Sequence, residues 1–425
     1  MTGGEVEADH VKPVGSLSGP ELPVPVPETV PVPEPVPSTL KRLGLLGSKL
    51  KARGWSWLAA RLIDELQKPS TRPGLWLRRC NVAIHGGLLL SLAAPIRLFI
   101  APQRTVHLFF DLDVSPITFD FCFALANAEL LRLRHGLERV QVVIVPGRND
   151  GLRHEDDDYE LSVDKANRRW RLNNLVIPLC RLMPSVAGLT ICASRAQATA
   201  IRALFARRVY PVSYWPLFPI PHLPNHVMDA ARNGEVVRPL TATDQARRFM
   251  AQWLSAHAGS RRIVTITLRT YGFMPARNSN LAAWAAFARH VERLGFLPVF
   301  IPDTEAAFDL TPPELANFVI FSEPAWNLDL RMALYEAAWL NMLINNGPFG
   351  LVAFSDARYL LFKILTPSVR MATAHYMNHL GYEVYRTPPF AGRFQKWVWE
   401  DDTLPVIKRE FEAMRQLIEQ EEPAT

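Results

Sequence analysis

Ile263-Val264-Thr265-Ile266-Thr267-Leu268, running into Arg269 and the loop Thr270-Tyr271-Gly272-Phe273-Met274-Pro275-Ala276, decides the fold. Six apolar or β-branched residues in a row read as a strand buried on both faces. The polar group Arg277-Asn278-Ser279-Asn280 then opens a helix, and Pro298-Val299-Phe300-Ile301-Pro302 returns as a second strand ending in Asp303. A β-loop-α-β unit of this kind sets loops and helix N-termini at the carboxyl ends of parallel strands, where open α/β sheets bind ligands. Arg269 and Arg277 on that loop suit an anion, a diphosphate above all.

The same alternation continues in both directions. Downstream, strands are expected at 318–321, 340–344 and 359–364, which gives a Rossmann-like domain over residues 241–390. Upstream, Val106-His107-Leu108-Phe109-Phe110, Val140 to Pro146 and Gly188 to Cys192 read as strands of a first domain over residues 105–208. Helices are expected from Thr118 to His135, from Ala166 to Met183 and, capped by Ser194, to Arg207. Residues 209–240, rich in proline and aromatics, form an ordered connection because their rings need burial. Residues 391–425 carry an amphipathic helix from Leu404 to Glu421. The fold class is α/β, with two doubly wound domains facing a cleft.

The N-terminal quarter differs. Residues 1–40 alternate Pro-Val and Pro-Glu and read as a disordered polyproline tail. Residues 41–104 are basic and apolar, with Trp55, Trp57, Leu58, Leu62 and Leu66 at helical spacing, a pattern suited to peripheral contact with an anionic membrane through 41–100. The uncharged run from Cys80 to Ile96, about 17 residues, is at or below the length that spans a bilayer, so a buried or interfacial helix is expected. No cleavable signal is evident, and the expected location is cytoplasmic, peripheral on the inner face of the plasma membrane.

Across 425 residues the net charge of +6 is mild, and no RNA-binding or zinc-finger signature occurs, so nucleic acid is not an expected partner. Four separated cysteines read as buried thiols.

Three further constellations could carry chemistry. Asn345-Asn346-Gly347-Pro348 closes an apolar strand, and Gly347 would allow a ligand close to the backbone. Asp111-Leu112-Asp113 follows another strand, where either carboxylate could act as a general base. The same Asp-x-Asp resembles the start of haloacid-dehalogenase phosphatases, although Asp156-Asp157-Asp158 lacks the strand that family places before its acidic pair. His375 and His379 share an i,i+4 spacing without the glutamate of a zinc protease, and no metal is expected.

The Arg269…Arg277-Asn278-Ser279 unit and the Asn345-Asn346-Gly347-Pro348 turn resemble donor-site elements of GT-B glycosyltransferases, in particular fucosyltransferase-like and polysaccharide-assembly members. The resemblance covers residues 105–390. It implies sugar transfer from a nucleotide-sugar donor, bound as substrate with no cofactor, to a glycan or lipid-linked acceptor. Arg269, Arg277, Asn278, Ser279, Asp303, Asn345, Asn346 and Gly347 would hold the donor, and Asp111 or Asp113 would serve as base. A Glu-x7-Glu donor motif is not evident near Asn345, which points to an inverting, metal-independent reaction. The rival reading is a non-catalytic scaffold of polysaccharide machinery that keeps this fold.

Overall fold

The computed structural model describes residues 72–421 except Pro102, Asp156 and Leu223, and not the side chains of Asp157, Asp158 and Asn225. The expected tail at 1–40, the basic stretch 41–71 and the acidic triplet's side chains lie outside the described residues.

Two parallel sheets organise the chain. The first contains β1 (Thr105–Asp111), β2 (Arg139–Val145), β3 (Val186–Ile191) and β4 (Arg208–Tyr210) in the order β3-β2-β1-β4. The second contains β5 (Ile263–Thr267), β6 (Leu297–Ile301), β7 (Val319–Ile320), β8 (Leu340–Ile344), β9 (Tyr359–Phe362) and β10 (Gln395–Trp397), in the order β10-β9-β8-β5-β6-β7. Every pairing in both is parallel. Full burial of β5, β6 and β8 explains their unbroken apolar sequences.

Strands β4 and β10 were not foreseen. Each has three residues, too short for a periodic signal, and they extend the sheets into the connection after residue 208 and into the segment after residue 390.

Helices cover the faces: α1 (Arg72–Arg97), α2 (Phe121–Arg134), α3 (Asp157–Ser162), α4 (Lys165–Arg171), α5 (Arg195–Leu204), α6 (Asn225–Arg232), α7 (Asp244–His257), α8 (Leu281–Arg293), α9 (Leu328–Ala337), α10 (Phe349–Ala353), α11 (Ala374–His379) and α12 (Leu404–Glu421). Asp164, Ser194, Thr243, Asn280, Asn327 and Thr373 each accept a backbone N–H three residues on, so polar caps start six of them. The helix expected from Ala166 to Met183 is present without a break from Lys165 to Leu182, widening into a π turn at Leu172–Val176 and tightening at Cys180–Leu182.

The two sheets share a core. Phe123 of α2 stacks edge-on against Phe354, just past α10, at 4.8 Å. A Cβ on Gly350 would lie 3.0 Å from Cys122 Sγ, so the small residue lets α10 sit against α2. The C-terminal helix α12 packs on α8 through Phe411 and Phe287, 5.2 Å apart.

Helix α1 runs unbroken through His85-Gly86-Gly87. A Cβ on Gly86 would meet Trp215 Nε1 at 2.5 Å, so glycine marks where the indole lies against the helix and not a break. Its other face is exposed: Ile84 is 73%, Leu88 60% and Leu92 66% accessible.

Candidate functional site

The chain leaves β5 outward through β6 and β7, then crosses back to place β8 on the other side of β5. Strand order therefore reverses between β5 and β8, and at such a point the loops diverge and open a crevice at the carboxyl ends. Thr267 pairs with Ile301 on one side and Leu343 on the other, so the three strands end level. The loops that meet there carry Arg269, Asp303 and Asn345-Asn346-Gly347.

A cavity of about 240 Å³ occupies this crevice. The second domain contributes Arg269, Tyr271, Arg277, Asp303, Glu305, Arg331 and Asn346, while the first contributes Phe119, Tyr159, Trp170 and Arg171. Four guanidinium groups face two carboxylates across it, with aromatic rings along the first-domain wall. An anionic group attached to a flat ring system suits that lining.

The two arginines of the β5 loop have different roles. Arg269 is buried and donates through Nη1 to the Met274 carbonyl at 3.1 Å and to Asn278 Oδ1, and through Nη2 to the Phe273 carbonyl at 2.5 Å. Its backbone exchanges bonds with Ser279 Oγ and N–H, both at 2.9 Å. Asn278 also accepts from Tyr271 N and donates to Tyr271 O. Arg269, Asn278 and Ser279 thus clamp the loop shut around Met274, whose φ of 56° is left-handed. Asn278 and Ser279 are turned into the loop, while Arg269 both braces it through its Nη atoms and lines the cavity.

Arg277 is freer. Its Nη2 donates to the Asn345 carbonyl at 2.7 Å, and its Nε is buried with no partner among the described residues. Burial, with the nearby positive charge of Arg269, pushes its pKa down to about 10. Arg269 and Arg277 both line the cavity. Asn346 donates to the Leu268 carbonyl at 3.4 Å and leaves its Oδ1 buried and unpartnered beside the cavity. Asn345 is turned to the sheet, where its amide bonds the Ile364 carbonyl. Asp303 accepts from Thr270 N at 3.3 Å and lines the crevice.

Gly347 is not a ligand cradle. A Cβ there would fall 2.5 Å from Phe119 Cδ2, so its missing side chain admits a first-domain ring. Nor is the N-terminus of α8 free for phosphate. Asp402 Oδ2 already accepts from Asn280 N at 2.8 Å and from Trp284 Nε1 at 2.9 Å. The chain supplies its own anion to that helix end.

The carboxylates expected as base lie elsewhere. Asp111 is fully buried, receives both Arg195 Nη atoms at 2.8 Å and accepts from Tyr214 Oη at 2.5 Å. Asp113 pairs with Arg148 at 2.7 Å. Neither lines the cavity. Asp111 is thus committed to Arg195 and Tyr214 and Asp113 to Arg148, which leaves neither facing a substrate in the cavity. No group of three or more potential metal ligands occurs among the described residues.

Arg331, Arg171, Tyr271 and Glu305 were missed. The Tyr271 ring lies 5.4 Å from the Arg269 guanidinium and 5.8 Å from that of Arg171, and Arg171 Nη2 donates to its hydroxyl at 3.0 Å. Burial raises the Glu305 pKa, against the lowering effect of Arg171. The tyrosine and the first-domain arginine come together only through the fold.

No protein-family profile and no curated protein sequence matches the chain. Solved structures do resemble it. A glycosyl transferase family 9 protein from Veillonella parvula is 10% identical, with 74% of this chain and 98% of that one aligned at a TM-score of 0.45. The ADP-heptose lipopolysaccharide heptosyltransferase II of E. coli is 12% identical over 74% and 99%, at a TM-score of 0.47. The wall teichoic acid polymerase TagF is 8% identical over 83% and 93%, at 0.25. Two parallel sheets with helices on their faces make a pair of Rossmann-like units. At such identities and scores these likenesses decide nothing further, and the fucosyltransferase-like subtype gains nothing from them.

Proposed function

We propose that the chain is a glycosyltransferase whose nucleotide-sugar donor binds at the β5–β8 crevice, with its diphosphate beside Arg277. One observation carries the reading: the crevice gathers four guanidinium groups at the strand-order reversal, and polar atoms of Arg277, Arg331 and Asn346 there are buried without partners. Buried polar atoms are ordinarily satisfied, so a cluster of exceptions around one cavity favours a missing polar ligand. Fixed positive charge also stabilises the leaving diphosphate as negative charge develops on it.

The acceptor hydroxyl attacks the anomeric carbon, the bond from that carbon to the diphosphate oxygen breaks, and the nucleoside diphosphate leaves. The hydroxyl proton passes to a carboxylate. In place of Asp111 and Asp113 this reading assigns Asp120, which is exposed just before α2 and follows Thr118 and Phe119 of the cavity wall. The acceptor is a glycan or a lipid-linked sugar.

The test is turnover. Incubation with ADP-, GDP-, UDP- and CDP-sugars and a lipid-linked glycan extract should release one nucleoside diphosphate, and Asp120→Asn should lose that release while retaining donor binding. Absence of binding to every donor would reject the reading. Binding without turnover would favour the scaffold, for which the occupied state of Asp111 and Asp113 already speaks.

The exposed stripe of α1 supports a peripheral seat on an anionic bilayer. Arg72–Arg97 has no acidic residue, and with Arg78 buried its charge at Arg72, Arg79 and Arg97 would complement acidic headgroups while Ile84, Leu88 and Leu92 enter the acyl boundary.

A further inference from the structure

Four arginines are buried among the described residues: Arg78, Arg168, Arg269 and Arg331. Three have acceptors. Arg78 donates to the Phe218 carbonyl at 2.7 Å, Arg168 to Glu160 and the Arg153 carbonyl, and Arg269 to its own loop. Arg331 differs. It is 1% exposed, and among the described residues its Nε and Nη1 have no hydrogen-bond partner and no ion pair reaches it.

A desolvated, unpaired guanidinium is among the least favourable groups a fold can bury. Its surroundings do not repair the deficit. Leu328 and Met332 beside it on α9 are buried and apolar, and Tyr335, one turn on, gives its hydroxyl to Thr267 at 2.9 Å. Asp303 acts on it only through space and instead accepts from Thr270 N. Arg331 lines the cavity at the strand-order reversal.

We propose that Arg331 is the anion anchor of this cavity: its unfilled donors take oxygens of a diphosphate group, with Arg277 as the second cation. The inference rests on the donor-site reading above and adds to it the residue that pays for ligand-free burial with instability. It also predicts a specific trade. Nε and Nη1 lie on different edges of the guanidinium, each of which forms a fork with Nη2, so the two phosphates of a diphosphate can satisfy them from two sides. Lysine at the same place keeps the charge and loses the fork.

Thermal unfolding of the full chain with and without ligand tests the proposal. The probes are inorganic pyrophosphate, the four common nucleoside diphosphates and farnesyl diphosphate, which separates a nucleotide source of the diphosphate from a lipid one. The wild-type Tm should rise with pyrophosphate and more with one class of larger probe. Without ligand, Arg331→Met should unfold about 2–6 °C higher than wild type, as expected when an unpaired buried charge is removed. Its affinity for the same probe should fall by at least about 30-fold, and Arg331→Lys should fall in between. A merely structural arginine would lower Tm on removal and leave affinity alone.

A ligand-induced shift that persists undiminished in Arg331→Met overturns the assignment, whatever its ligand-free Tm. Should that variant not fold, wild-type affinity in Arg331→Lys overturns it equally. These outcomes leave the donor site standing. A wild type that responds to no probe removes both.

Discussion

Arg277 and Asn345, on the loops that follow β5 and β8, are joined across the strand-order reversal: Nη2 donates to the Asn345 carbonyl at 2.7 Å while Nε stays buried and unpartnered. One half of the guanidinium holds the two loops at a fixed spacing and the other half is left for a ligand. Arg277→Gln keeps a donor for the carbonyl but removes the charge. Its affinity for a nucleoside diphosphate should drop about 30- to 100-fold in calorimetry with little change in unfolding midpoint. Unaltered affinity would place the diphosphate elsewhere.

Arg269 is expected to behave differently, because three of its donors brace the loop at Met274, Phe273 and Asn278. Arg269→Ala should cost about 2–4 kcal/mol in denaturant unfolding and weaken nucleotide binding through a loosened loop. Asn278→Ala should reproduce both effects in milder form. Wild-type stability combined with lost binding in Arg269→Ala would instead mean a direct ligand contact.

Gly347 ties the two domains together. Gly347→Ala drives a methyl into Phe119 and should destabilise by about 1–3 kcal/mol, and Phe119→Ala in the same chain should recover part of that loss. Strict additivity of the two changes would show that the ring and the glycine do not meet.

His107, buried in β1, gives a pH signature. Burial, reinforced by Arg202, lowers its pKa to about 4 from the usual 6.5. Between those values the unfolded chain holds the proton and the folded chain does not, so stability rises with pH across the window and is lost as pH falls from about 6.5 toward 4. The loss attributable to His107 is roughly 2–4 kcal/mol. His107→Leu should flatten that part of the stability profile, and an unchanged slope would assign the effect to other groups.

Membrane contact through α1 is testable by flotation. The full chain should rise with vesicles containing phosphatidylglycerol and stay down with purely zwitterionic ones, and Leu88→Glu with Leu92→Glu should cut the floating fraction at least about tenfold. Equal flotation of the variant would assign any contact to residues outside α1.

The sequence made the second sheet legible because its strands are buried on both faces and their apolar runs have no competing period. It made the Arg269 loop legible as a place but not as a set of roles. Nothing in the local pattern distinguishes a guanidinium that clamps its own loop from one that faces a cavity. Asp111 misled for a similar reason, since Arg195 stands 84 residues away and only the fold brings them together. Arg331 did leave a trace. Leu328, Arg331, Met332 and Tyr335 fall on one helical stripe, so a charge sits where α9 needs an apolar residue. A charge inside an apolar stripe is a sharper sign of a site than an arginine in a polar loop.

A crystal of the full chain soaked with the nucleoside diphosphate that gives the largest thermal shift tests the central claim most directly. The account predicts the diphosphate in the β5–β8 crevice, with oxygens in hydrogen-bonding reach of both Arg277 and Arg331. A diphosphate bound elsewhere, or a crevice in which both guanidinium groups stay unpaired while the nucleotide occupies another surface, would contradict it.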